Sequence, residues 1–294
     1  MLFVLAFDHR NSFRIDFFGL RGAPTPEQTA SFEEAKMVIL DGLLEAMRSG
    51  VPEGAAGALI DGEYGGAAAV RARDAGVKVA VPVEKSGRRE LEFEHDPFYR
   101  ELEELRPHYA KVLVRYNPTS DAALNARQRA KIASILEWTR GHGMRFMLEL
   151  LVPPDGVATG DRARDFDTEV RPGLTLEAVR ELIRSGIFAD LWKLEGMNST
   201  EQYAAIAEEV LKADSASGCL VLGRGADAAA VDRWLTLAAP VRGFKGFAVG
   251  RTIWWEPLRA HLDGRLSRSA AVAAIAESYL RLVQVYIGAV GPGR

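Results

Sequence analysis

The fold is decided by residues 191–222, which read LWKLEGMNST EQYAAIAEEV LKADSASGCL VL. The run Leu191–Leu194 opens this stretch, the run Cys219–Leu222 closes it, and the pattern between them, Ser199–Ala213, is typical of a helix. A continuous apolar run indicates a strand that is covered on both faces, as in a parallel sheet. The stretch therefore predicts one strand–helix–strand unit.

The same unit recurs through all 294 residues. The predicted strands are Leu2–Phe7, Gly57–Ile60, Val77–Val83, Ala110–Tyr116, Arg145–Leu151, Leu191–Leu194, Cys219–Leu222 and Gly243–Val249. The predicted helices are Pro26–Ser49, Tyr64–Ala75, Pro97–Leu105, Ser120–His142, Leu174–Ser185, Ser199–Ala213, Asp227–Ala239 and Glu256–Val290. Eight such units predict an α/β protein with a single (β/α)8 TIM barrel, residues 1–290, and a short tail, 291–294. The alternative is a doubly wound open sheet, against which the even spacing argues.

Composition excludes several classes of protein. The 37 basic and 40 acidic residues leave a net charge of −3, so no basic excess favours nucleic acid or an anionic membrane. The only cysteine, Cys219, cannot form an intrachain disulfide. The apolar N-terminal run has no basic region before it, and no apolar run approaches the roughly 18 residues that span a bilayer. We therefore expect a cytoplasmic protein without nucleic-acid or membrane partners; the sequence names no interface for a homo-oligomer, although homo-oligomers are common.

Charged residues close nearly every predicted strand. In a TIM barrel the active site lies at the carboxyl ends of the strands, where a purely structural barrel would use Val, Ile and Leu. The charged residues at these ends are Asp8, Arg10, Asp61, Glu63, Glu84, Lys111, Arg115, Glu149, Lys193, Glu195, Arg224 and Arg251. The pattern predicts an active site at this rim.

Lys193 is the strongest candidate for a nucleophile. Lysine is rarely buried without a partner or a function, and a neutral amine can attack a carbonyl. Lys111, on the fourth strand, is placed to act as a neighbouring cation that lowers the pKa of Lys193. The structural alternative is that both lysines reach out to solvent.

Three acidic residues accompany the lysines. Glu149 is a candidate general acid and base, with an ion pair to Lys111 or Lys193 as the structural alternative. Asp8 and Glu63 are weaker candidates, because Asp8 could cap a loop and Glu63 could begin a helix.

The loops after strands seven and eight are the usual phosphate site of this fold. Gly223, Gly225 and Gly250 would offer backbone N–H groups there, and Arg251 would add a charged fork. The alternative is that the glycines serve tight turns alone. A substrate carboxylate could be held by Arg10, Arg115 or Arg224, among which the sequence does not choose.

Two further features leave alternatives open. The few histidines disfavour an imidazole-rich metal site, whereas a magnesium site built from Asp8, Asp61, Glu63 and Glu84 stays open. The polar segment Val152–Pro172 is predicted to be a long loop, either a lid or a surface insertion.

Several of these segments together resemble the class I tagatose-1,6-bisphosphate aldolase group of barrels, and most closely the aldolase domain fused to 5-dehydro-2-deoxygluconokinase in myo-inositol catabolism. The matching segments, which span the chain in order, are Leu5–Arg10, Asp61–Gly65, Pro82–Glu84, Lys111–Val114, Leu148–Glu149, Trp192–Glu195 and Gly246–Thr252.

The resemblance implies a Schiff-base aldolase without metal or cofactor. Lys193 matches the imine-forming lysine, Lys111 the second lysine, Glu149 the acid and base, Asp8 and Glu63 further site acids, and Arg251 the phosphate-binding arginine. The inositol-pathway relatives cleave 6-phospho-5-dehydro-2-deoxy-D-gluconate to dihydroxyacetone phosphate and malonate semialdehyde. Arg224 and the turn Asn11-Ser12 depart from the group, which puts the substrate in question. Another ketose phosphate, a non-catalytic sugar-phosphate-binding barrel and a magnesium-dependent aldolase or isomerase are the alternatives.

Overall fold

A computed structural model describes residues 1–155 and 165–291. The strands are β1 Leu2–Ala6, β2 Ala56–Leu59, β3 Lys78–Pro82, β4 Tyr109–Arg115, β5 Arg145–Leu151, β6 Leu191–Glu195, β7 Gly218–Leu222 and β8 Phe244–Val249. The described helices are α1 Pro26–Ser49, α2 Gly62–Asp74, α3 Arg100–Leu105, α4 Ala122–Gly141, α5 Arg171–Arg184, α6 Thr200–Ala213, α7 Ala228–Ala238, α8 Arg251–Leu262 and α9 Arg268–Ala289.

The strands form a closed parallel barrel in sequence order. Strand β1 pairs with β2 on one side and with β8 on the other, which excludes the open doubly wound sheet. Every predicted strand boundary lies within one residue of the observed one. The predicted single TIM barrel is confirmed.

The barrel interior is layered because inward-facing residues recur at every second position of a strand. One apolar cluster fills the lower interior: Leu2, Val4, Ala6, Leu59, Ala80, Tyr109, Met147, Leu191, Leu220 and Ala248. Two residues above Met147 and Leu191 on the same faces stand Glu149 and Lys193. The alternation thus places charged side chains directly above an apolar floor.

Two predicted segments differ from the structure. The helix predicted as Glu256–Val290 is two helices, because Gly264 adopts a φ of +72° beyond α8 and the Ser267 side chain caps α9. The loop predicted to reach Pro172 is shorter, since a π-helical turn occupies Phe166–Val170 and Pro172 lies inside α5. The rest of the proposed lid, residues 156–164, lies outside the described residues.

Helix α9 is the one described helix that is long and apolar enough to cross a membrane by length and composition. The hydroxyls of Tyr279 and Tyr286 donate hydrogen bonds to the backbone carbonyls of Phe3, at 2.5 Å, and Phe244, at 2.8 Å. Its buried face is therefore tied to strands β1 and β8, as expected of a helix that packs on a protein core.

Candidate active site

The strand register brings four of the five predicted catalytic residues together at the carboxyl rim, whereas Glu63 lies apart on the exposed side of α2. Glu149 on β5 and Lys193 on β6 are direct register partners, and Pro82 pairs with Lys111 across β3 and β4. Asp8 and Glu84 follow β1 and β3 at the same inward spacing. Five strand ends thus converge on one buried cluster of Asp8, Glu84, Lys111, Glu149 and Lys193.

Lys111 lies at the centre of this cluster. Its Nζ is 2.6 Å from Glu84 Oε1, 2.8 Å from Glu149 Oε2 and 3.1 Å from Asp8 Oδ2. Burial acts to lower the pKa of Lys111, but the three carboxylates outweigh burial and raise the pKa above its usual range. Lys111 therefore stays a cation at any ordinary pH.

Glu149 connects the two lysines. Its Oε2 contacts Lys111, and its Oε1 lies 2.9 Å from Lys193 Nζ. Burial acts to raise the pKa of Glu149, yet the charges of Lys111 and Lys193 lower it overall. The structure thus places an ionised carboxylate between Lys193 and its predicted neighbouring cation, Lys111. Glu149 also makes the ion pairs that the sequence offered as its structural alternative.

The other two acids of the cluster differ in the direction in which their pKa is shifted. Burial opposes ionisation of Asp8, but Lys111 and Lys193 outweigh it and the pKa of Asp8 is lowered. For Glu84 burial dominates over the charges of Lys111 and Arg10, so its pKa is raised. The sequence marked Glu84 as a magnesium candidate and gave it no catalytic role.

Two residues near Asp8 were not singled out from the sequence. Lys36 of α1 is fully buried and donates to the carbonyl oxygens of Phe7, at 2.8 Å, and His9, at 3.2 Å, and to Asp61 Oδ2. The signal was available, because Lys36 interrupts an apolar helical stripe four residues after Phe32. Lys36 thereby fixes the backbone on both sides of Asp8.

His9 is the second residue that the sequence did not single out for catalysis. Burial lowers the pKa of His9 to about 4. The negative charge of Asp8 acts to raise this pKa, and the positive charge of Arg251 acts to lower it. The ring lies edge-on to Trp254 at 5.7 Å, and Nδ1 has no hydrogen-bond partner among the described residues. His9 is therefore neutral at neutral pH, between the lysine cluster and the start of α8.

The predicted phosphate loops meet at the start of α8. Gly250 caps this helix, and the Thr252 hydroxyl donates to the carbonyl oxygen of Ala226 at 2.8 Å, joining the loops after β7 and β8. Gly225 has a φ of +69°, and a Cβ there would lie 2.5 Å from Arg251 Nη2, so the Arg251 side chain packs against this glycine. Among the described residues, Arg251 has no carboxylate within ion-pair distance. Gly223, the remaining predicted glycine, packs against Val249.

The three arginines considered for a carboxylate differ. Arg224 is 2.8 Å from Asp167 and 3.2 Å from Glu195, and Arg10 is 2.8 Å from Glu94, so both are paired within the protein. Arg115 donates to the carbonyl oxygen of Arg88 at 2.7 Å and has no ion-pair partner in the described part of the chain. It lines the cavity above the lysine cluster, as does Arg10.

The four residues of the alternative magnesium site are not brought together. Asp61 pairs with Lys36 and caps α2 through its contact with Tyr64 N, while Asp8 and Glu84 share Lys111. Glu63 is exposed in the first turn of α2, outside the lysine cluster. Among the described residues, no group of three or more histidine, cysteine or acidic side chains is arranged to hold a metal ion.

Comparisons with known proteins support the fold. The family model described as "Uncharacterized protein conserved in bacteria (DUF2090)" matches residues 1–289. A Schiff base forming fructose-1,6-bisphosphate aldolase is similar in structure, with a TM-score of 0.57 and 15% identity over 94% of this chain and 93% of the other. The protein Cgl0159 of Corynebacterium glutamicum is similar with a TM-score of 0.58 and 18% identity, over 96% of this chain and 85% of the other. The search of the curated proteins found no match.

Proposed function

The chain belongs to the DUF2090 family, and we propose that it is a class I aldolase in which Lys193 forms a Schiff base with a phosphorylated keto sugar acid. The proposal rests on one observation, that the Glu149 carboxylate bridges the two buried lysines Lys111 and Lys193. A barrel needs no such buried charges for its stability, and they cost desolvation energy. The structural similarity to the fructose-1,6-bisphosphate aldolase suggests the reaction class, by analogy of fold alone.

The cleavage uses the three bridged residues. Glu149 takes a proton from the Lys193 ammonium, and the freed amine adds to the ketone carbon. Glu149 then returns the proton to the carbinolamine hydroxyl, which leaves as water, so that a protonated imine remains and Glu149 is ionised again. Glu149 takes the proton of the hydroxyl β to that carbon, the α–β carbon bond breaks, and its electron pair passes into the imine, giving an enamine and an aldehyde. The enamine is reprotonated at the α carbon, and water hydrolyses the imine to release the ketone and Lys193. Lys111 contacts both Glu149 and Asp8, so these charges are fixed in position before the reaction and can stabilise the charges that develop during it.

The resemblance to the inositol-pathway aldolases suggests the substrate 6-phospho-5-dehydro-2-deoxy-D-gluconate, cleaved to dihydroxyacetone phosphate and malonate semialdehyde. Arg251 and the backbone at Gly250 bind the phosphate, so that binding energy away from the carbonyl positions the scissile bond. The expected setting is the cytoplasm, where phosphorylated sugars are made and kept. A tagatose-1,6-bisphosphate-like ketose is the alternative substrate.

Borohydride reduction tests the Schiff base directly. Incubation with dihydroxyacetone phosphate and borohydride should attach the reduced three-carbon adduct to Lys193, seen by peptide mass spectrometry, while Lys212→Met, an exposed change on α6, should trap as well as the unchanged protein. Cleavage should survive a chelator. Retained activity in Lys193→Met, or complete loss of activity with the chelator, would refute the mechanism. Thermal stabilisation by sugar phosphates without trapping or cleavage would favour a binding protein instead.

A further inference from the structure

The loop between β3 and α3 forms one wall of the cavity above the lysine cluster. Two backbone hydrogen bonds close its base, from Lys85 N to Glu92 O at 2.8 Å and from Glu94 N to Val83 O at 2.9 Å. Helix α4 holds its far side, because Lys131 Nζ donates to Leu91 O at 2.7 Å. The loop therefore has a defined conformation and can present side chains to a ligand.

The charge of the cavity changes from its floor to its mouth. Seven cationic and four acidic side chains line it. On the floor both lysines have acidic partners: Lys111 contacts Asp8, Glu84 and Glu149, and Lys193 contacts Glu149. Among the described residues at the mouth, the only lining acid is Glu90, and it is 2.8 Å from Arg127 and 3.1 Å from Lys131, outside the cavity. The mouth cations are Arg10, Lys85, Arg88, Arg89 and Arg115.

Most of these mouth cations are weakly neutralised. Lys85 and Arg88 share a single carboxylate, that of Glu92, at 3.8 and 3.6 Å. Arg89 is exposed, with Asp155 no nearer than 4.0 Å. Arg115 has no acidic partner among the described residues, although it stands at the cavity wall. Unpaired arginines around a concave surface are the usual way in which proteins bind carboxylate and phosphate.

We propose that this mouth, with Arg115 at its wall and Arg88 and Arg89 at its edge, is a subsite for a second anionic group of the substrate. This inference rests on the proposed aldolase function, and it assigns the two anions of the substrate to different places. One is bound at Arg251, beyond His9, and the other at Arg115, which lines the cavity. Leu113 stands between Lys111 and Arg115 on the inward face of β4. An apolar side chain there favours an unsubstituted carbon next to the anion over a hydroxylated one.

Matched aldehydes test the subsite in the direction of synthesis, with dihydroxyacetone phosphate as the donor. Malonate semialdehyde and propionaldehyde form one pair that differs in the carboxylate, and glyceraldehyde 3-phosphate and glyceraldehyde form another that differs in the phosphate. We expect kcat/KM to favour the anionic member of at least one pair by about 10- to 100-fold. In Arg115→Gln and in the exposed Arg89→Gln that ratio should fall at least several-fold. In Arg100→Gln, an exposed change on α3 beyond the cavity, it should stay the same.

The outcomes separate the two proposals. A ratio near one in both pairs, or a ratio that Arg115→Gln and Arg89→Gln leave unchanged, overturns the subsite. Preference in the first pair identifies a carboxylate as the anion, and preference in the second a phosphate; both support it. The trapping of dihydroxyacetone phosphate on Lys193 is measured in the same preparations. If trapping fails, the aldolase proposal falls; if trapping succeeds and the ratios are flat, only the subsite falls.

Discussion

Replacing Lys36 by methionine tests the buried charge that supports the Asp8 backbone. Methionine keeps most of the volume of the side chain and removes its charge. The side chains of Lys36 and Asp61 are both 0% exposed, so Lys36→Met strands an unpaired carboxylate in the protein and frees the two carbonyl oxygens that flank Asp8. Loss of one partner from a buried ion pair costs about 3 to 5 kcal/mol. At roughly 2 °C per kcal/mol for a chain of this length, the melting temperature should fall by about 6 to 10 °C.

Thermal unfolding followed by circular dichroism measures this loss, with Lys212→Met as the same substitution at an exposed site. The double variant Lys36→Met/Asp61→Asn should recover part of the stability, because asparagine removes the stranded charge and can still accept the hydrogen bond from Tyr64 N. A Lys36→Met protein as stable as Lys212→Met would refute the reasoning. So would a double variant that is no more stable than Lys36→Met.

Three other predictions concern pH, catalysis and the phosphate loop. His9 is protonated near pH 6.5 in the unfolded chain and only near pH 4 in the folded protein, so the free energy of unfolding should decrease as the pH falls through this window. His9→Gln should weaken this pH dependence, measured by urea unfolding at pH 7 and pH 5. An unchanged dependence would contradict the low pKa assigned to His9. Glu149→Gln should lower kcat by about 10²- to 10⁴-fold, measured by steady-state cleavage, and a smaller loss would exclude Glu149 as the base. Gly225→Ala should displace the Arg251 guanidinium and raise KM for phosphorylated substrates, and equal kinetics would exclude this arginine from phosphate binding.

Strand positions were predictable from the sequence because a strand buried on both faces must be apolar throughout, and a charged residue in such a run stands out. This is why Lys193 and Glu149 were found, and their register confirms that they are neighbours. A local sequence pattern does not show which residue will form an ion pair with a buried charged side chain. Lys36 and Asp61 are 25 residues apart, and they meet because α1 packs against the ends of β1 and β2. The break between α8 and α9 was missed because apolar positions continue on both sides of it, and Gly264 and the capping residue Ser267 were the local signals.

The apolar floor beneath the lysines also limits the routes by which water and protons can reach or leave the site. Ten packed side chains close the described part of the barrel below Lys111 and Lys193, so water reaches these amines from the mouth. A substrate that fills the mouth cuts the cluster off from bulk solvent. In the proposed cleavage, the proton that Glu149 removes would stay in the site until the aldehyde departs, and the water that hydrolyses the imine would enter only afterwards. We therefore expect the proposed aldolase to release the aldehyde first and the ketone phosphate second.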